Sequence, residues 1–87
     1  MANRIEDILS VRKMTHGPFA KQAALSQALK NAVRQFDGWE GLDGHQKESI
    51  DMIFHKVARA VTGDANYPDH WDDMAGYALL SAKELNK

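Results

Sequence analysis

Three breaks cut this chain into four stretches, and each stretch carries apolar residues at helical spacing. The breaks are Gly17-Pro18, the run holding Gly38, Gly41 and Gly44, and the segment from Gly63 to Pro68. Glycine suits the residue just past a helix and proline the first turn of the next. No stretch alternates with a period of two, so the spacing predicts an all-α fold: a small four-helix bundle, one domain over residues 1–87. A domain of 87 residues buries only about 60–65% of its unfolded surface. The chain has no cysteine, so neither a disulfide nor a thiolate metal site can add stability. Self-association is the remaining source of buried area, and a homo-oligomer is expected.

The first helix is expected to open on the capping pair Asn3 and Glu6, to carry Ile5, Ile8 and Leu9 as its apolar stripe, and to end near Met14. The second should run from about Pro18 to Phe36, with Leu25, Ala28, Leu29, Ala32, Val33 and Phe36 on one stripe. Trp39 and Leu42 should pin the glycine-rich loop to the core. Asp43 with Gln46 three residues on signals the start of the third helix, which runs to about Thr62. Ile50, Ile53, Phe54, Val57 and Val61 form its core stripe, and Glu48, Asp51, His55 and Arg59 share another face. The fourth starts near Asp69, capped by Asp69 and Asp72, with Trp71, Met74, Ala75, Ala78 and Ala82 on one stripe flanked by Tyr77 and Leu85. Gly76 in its middle costs about 1 kcal/mol relative to alanine. A close helix contact or a ligand is expected to compensate.

Charge is unevenly distributed. Residues 1–36 carry six Lys or Arg against two acids, and residues 37–87 carry five against ten. This polarity fits two copies meeting head to tail, a cation site beside an anion site, or simply two solvated faces. No apolar run approaches a membrane span and no signal-peptide core opens the chain, so no membrane association is expected and the location should be cytoplasmic. The basic half lacks interleaved aromatics, which argues against nucleic acid as a partner. His16, His45, His55 and His70 stand alone in sequence and read as surface or hydrogen-bonded histidines rather than zinc ligands.

Chemistry concentrates in Gly63–Ala78. Asp69, Asp73 and Tyr77 are four apart in turn and share a helix face. Two carboxylates at that spacing can hold a hard cation such as Mg²⁺ or can simply cap and solvate. Glu48 and Asp51 are a second acidic pair, roughly 20 Å along the third helix from its end. A single chain is not expected to gather all four, whereas symmetry between copies can. Lys56 and Arg59 can receive phosphates or pair with nearby acids, for example Lys56 with Asp69.

The helix ending Lys56-x-x-Arg59, followed through a short loop by Asp69-x-x-x-Asp73-x-x-Gly76-Tyr77-Ala78, resembles small bacteriophage and prophage proteins of unassigned function. Thr15-His16-Gly17 also fits that pattern. Such proteins are similar in turn to the all-α nucleoside triphosphate pyrophosphohydrolases of the MazG and dimeric dUTPase type, which hold Mg²⁺ on helix carboxylates. The resemblance implies a phage-encoded, nucleotide-directed protein of the bacterial host's cytoplasm. It implies Glu48 and Asp51, or Asp69 and Asp73, in the role of the later pair of metal ligands, and Lys56, Arg59 and Tyr77 against the substrate. The second helix departs from the pattern: from Lys21 to Gln35 it holds no acid, where the family needs a Glu-x-x-Glu pair. Half a metal cage is compatible with catalysis completed by a partner subunit or with binding alone. The competing reading is a non-catalytic phage protein that acts on a host factor.

Overall fold

A computed structural model describes residues 4–87. They form α1 (Arg4–His16), α2 (Phe19–Arg34), α3 (Gly44–Thr62) and α4 (Pro68–Leu85), with a 3-10 turn at Asp37–Trp39 and no strand. The fold is the expected small all-α four-helix bundle. Among the described residues no helix is long and apolar enough to cross a membrane. The Asn3 cap lies outside the described residues.

The starts and stops follow local chemistry. The Asp43 N–H donates to Gln46 Oε1 at 2.8 Å, which is half of the capping box foreseen there. α4 corrects its expected start. Pro68 takes the first helical position, Tyr67 stands at the N-cap, and no side chain caps the helix. Proline suits that position because its missing N–H is one of the donors left unpaired at a helix start and its φ is preset. Asp69 and Asp72 therefore lie inside the helix, where Asp69 meets the positive end of its dipole.

α3 is the central helix, packed on α2, α4 and, more sparsely, α1. Both long hairpins are antiparallel. Arg34 of α2 bonds Asp51 of α3, Ser49 of α3 lies 2.6 Å from Ser81 of α4, and Lys56 meets Asp73. The α2–α3 loop is anchored by Trp39, only 8% exposed. Arg34 lies over its ring, 4.6 Å from the centroid, while Nη2 donates to both Asp51 oxygens at 3.0 and 2.9 Å.

The two elbows meet backbone to backbone. Gly17 has φ +82°, and a Cβ there would strike the Thr62 carbonyl and hydroxyl. A Cβ on Gly63 would strike Thr15 and His16. The Asp64 N–H donates to Thr15 O at 3.0 Å, and Thr62 Oγ1 donates to His16 O at 3.0 Å. His70, 1% exposed, adds an Nε2–H bond to Thr15 O at 2.7 Å.

This knot sets which faces turn inward, and the expected stripes are corrected: Ala28, Ala32 and Phe36 of the α2 stripe and Val61 of the α3 stripe are exposed, and α1 and α4 depart further. α1 buries none of its residues, and Ile5, Ile8 and Leu9 are 64%, 48% and 60% exposed. On α4 the inward side is His70, Met74, Tyr77 and Ser81, while Trp71, Ala75, Ala78 and Ala82 face solvent. The bonds of His70 to Thr15, of Asp73 to Lys56 and of Ser81 to Ser49 fix the rotation of α4. Among the described residues the buried apolar side chains are few, namely Trp39, Ala58 and Ala60, beside buried Gln22, Ser26, Ser49, Lys56 and His70. The radius of gyration is 15.1 Å, against about 12 Å for a compact chain of this length.

Of the two compensations expected for Gly76, the close helix contact is not found, because a Cβ there would meet nothing within 4 Å. Gly76→Ala should therefore stabilise the fold by about 1 kcal/mol, raising Tm by about 4–8 °C. A thermal melt of the variant checks this, and a lower Tm would reject the open-space reading.

Candidate functional site

The expected site residues divide between two places. Lys56 and Asp73 come together at 2.8 Å, with the Lys56 side chain 11% exposed. That hydrogen bond, with its charge, holds the Asp73 carboxyl below its ordinary value. Lys56 thus pairs across the loop as foreseen, but with Asp73 in place of Asp69. Asp69 instead accepts from the Tyr67 hydroxyl, a bond that raises the Tyr67 pKa. Asp51 is engaged by Arg34 on the α2 side of α3, and Glu48 is exposed. Tyr77 is half-buried, and its carbonyl accepts from Ser49 Oγ at 3.0 Å. With Asp72, Asp73, Gly76 and Leu80 it lines a shallow depression. Among the described residues no three His, Asp or Glu side chains gather as a metal cage. The two acidic pairs stay apart within one chain, as their separation along α3 implied.

Arg59 opens elsewhere. Between α1, the Gly17-Pro18 elbow, the start of α2 and α3 lies a cavity of about 500 Å³. Arg12 and Lys13 come to it from α1, and His55 and Arg59 from α3. His16 and Gln22 complete its polar lining, and Leu9, Pro18 and Phe19 supply apolar wall. No carboxylate lines it. Arg59 Nε is buried and has no hydrogen-bond partner. Burial first, and Arg12 second, lower the Arg59 pKa, while Asp73 and Tyr77 oppose this. A guanidinium still stays charged at neutral pH. The cavity therefore presents three cations, of which Arg59 is partly desolvated with its Nε unpartnered.

The histidines report the same field. His16 is lowered from 6.5 to about 4 by burial first, then by Arg59, His70, Arg12 and Lys56. His55 is lowered by burial, then by Arg59, Lys30, Lys56 and Arg12. His16 also packs on the aromatic cluster of the elbow, 5.3 Å from the His70 ring and 6.5 Å from Tyr67. Both shifted histidines are neutral at pH 7.

A pH dependence follows. Between pH 6.5 and about 4 the unfolded chain binds a proton at His16 that the folded chain refuses. Stability is thus present above pH 6.5 and falls as pH drops through that window. Urea midpoints at pH 7.5 and pH 4.5 should differ accordingly, and His16→Gln should flatten the difference. An unchanged slope in His16→Gln would assign the acid sensitivity to other groups.

Sequence reasoning placed His55 on one face with Arg59 but did not join that face to Arg12 and His16 of α1. The available signal was a matched spacing: Arg12 and His16 are four apart on α1, and His55 and Arg59 four apart on α3. Each pair lies on one helix face. What spacing does not tell is that the elbow turns the two faces toward each other. Comparison with protein-family models, with curated proteins and with solved structures finds no match to this chain.

Proposed function

We propose that this chain is a phage-type, nucleotide-directed protein that binds the phosphates of a nucleotide in the basic cavity between α1, α2 and α3. The observation that carries the reading is a cavity lined by the cations Arg12, Lys13 and Arg59 and, among the described residues, by no carboxylate, with the Arg59 Nε buried behind it and unpartnered. Guanidinium groups match phosphate geometry and bind it most strongly where water is excluded. A volume of about 500 Å³ suits a small-molecule ligand. Phe19, 78% exposed at the rim, offers a surface on which a base can stack. The resemblance of Lys56–Ala78 to phage proteins similar to MazG-type enzymes supports the same ligand class.

Binding is favoured over hydrolysis. Asp51 and Asp73 are already paired with Arg34 and Lys56. A Mg²⁺ ion at Asp69 and Asp73 would compete with the Lys56 ammonium, so the phosphates are read as meeting the cavity's cations directly.

Calorimetry with a nucleoside triphosphate, in EDTA and again in Mg²⁺, tests this. Binding is expected in EDTA, without pyrophosphate release in either condition. Arg59→Met should weaken it about 10- to 100-fold, the range for losing one charged hydrogen-bonding partner. Absence of binding by adenine, guanine and uracil triphosphates and by pyrophosphate would reject the reading. It would leave the non-catalytic interaction protein, which the exposed apolar residues of α1 and α4 favour.

A further inference from the structure

α4 turns the mixed face of His70, Met74, Tyr77 and Ser81 toward the bundle and leaves its apolar face uncovered. The face turned from α3 holds Trp71, Ala75, Ala78, Leu79 and Ala82, with Leu85 at its end. Trp71 is 55%, Leu79 62% and Leu85 64% exposed. Trp71 is preset, because its Nε1–H donates to Ala65 O at 2.7 Å. Asp72, Leu79 and Lys83 follow one another along one flank of this face at spacings of seven and four. Neither Asp72 nor Lys83 belongs to an ion pair among the described residues.

The surface area calls for a cover. The chain exposes 6246 Å², whereas a compact monomer of 9.7 kDa exposes about 5,100 Å². The excess of about 1,100 Å², which α4 shares with the exposed α1, leaves room for the roughly 800 Å² that each partner buries in a standard interface.

We infer that a second copy of this chain covers the face, its α4 packed antiparallel about a twofold axis near Ala78. The charge pattern selects both occupant and direction. Acids lie at the start of the flank and Lys83 near its end. An antiparallel pair sets Asp72 beside Lys83 of the partner subunit, and the twofold repeats the contact. A parallel pair would set Asp72 against its own copy. The same axis lays Trp71 over Leu85 of the partner subunit at both ends, with alanines at the centre where two helices approach most closely. Large aromatic anchors flanked by charges are the usual energetic centre of an interface. The face lies on α4, away from the α1–α2–α3 cavity, so the dimer stands or falls independently of nucleotide binding.

Sedimentation equilibrium of the full chain is the test, with circular dichroism on every variant to show that it stays helical. The wild type should sediment at twice 9.7 kDa. Ala78→Arg should raise the dissociation constant at least about 30-fold, since it places a buried charge on the axis. Asp72→Lys should raise it about 5- to 10-fold, and Asp72→Lys combined with Lys83→Asp should return it to within about 3-fold of wild type. The rescue is the outcome a general loss of stability cannot produce. A wild type that stays at 9.7 kDa up to about 100 µM, beyond the usual range of specific association, would overturn the proposal. So would a dimer indifferent to Ala78→Arg and Asp72→Lys, or a double reversal no better than the single one.

Discussion

Gly17→Ala should lower stability by about 4 kcal/mol or more, through strain and lost hydrogen bonds together. Gly17 has φ +82°, where an alanine costs about 1–2 kcal/mol. The larger part is contact. The new methyl would overlap the Thr62 carbonyl and Oγ1, and backbone atoms cannot step aside as a flexible side chain can. The elbows would have to separate. That strains the bonds from Asp64 N–H and His70 Nε2–H to Thr15 O and from Thr62 Oγ1 to His16 O. Each is worth about 1 kcal/mol net. For a chain whose total stability is about 4–13 kcal/mol, most molecules of a marginal variant would be unfolded at 37 °C. The control is Gly38→Ala, because a Cβ at Gly38 meets nothing within 4 Å. Thermal melts of both variants settle the matter. Gly17→Ala melting within about 3 °C of wild type, less than 1 kcal/mol, would show that the elbow contact does not hold the hairpins together.

Trp39→Ala is expected to cost about 3–5 kcal/mol. Trp39 is the one large apolar side chain among the buried residues, beside Ala58 and Ala60, so little else can collapse into the space it leaves. Its ring is also the platform for Arg34, whose Nη2 holds Asp51 and whose Nη1 donates to Lys30 O at 2.9 Å. Removing the ring loosens the α2–α3 hairpin at its closed end. Trp39→Phe keeps an aromatic face and should recover about half of the loss. Urea unfolding measures both, with an unchanged m-value expected if the two-state transition survives. A loss below about 1 kcal/mol would be that of a surface side chain and would displace Trp39 from the core.

The reach of sequence reasoning is visible residue by residue. Asp43, Gln46 and Gly63 marked the ends of α3 because capping is local chemistry, settled within four residues. Pro68 moved the start of α4 by a single position. The acid-free second helix and the distance from Glu48 and Asp51 to Asp69 and Asp73 were likewise legible, and no single chain gathers those carboxylates. The pairing of Lys56 with Asp73 was half legible, since a short loop had to bring that end of α3 to the first turns of α4.

Periodicity determined that four helices form and roughly where each begins, because the 3.6-residue repeat and its breaks are written along the chain. It also identified the apolar faces of α1 and α4 without saying what would cover them. Only the tertiary structure decided that α4 rotates to bury His70, Met74, Tyr77 and Ser81 and leaves Trp71, Ala78 and Leu79 outside. Only the tertiary structure set Arg12 and His16 of α1 against His55 and Arg59 of α3. The physical reason is the same in both cases. Helix rotation is set where Gly17 and Gly63 let two backbones touch, 46 residues apart in sequence, as the Thr62–His16 bond across the elbows shows. A contact between such distant segments leaves no periodic trace in either.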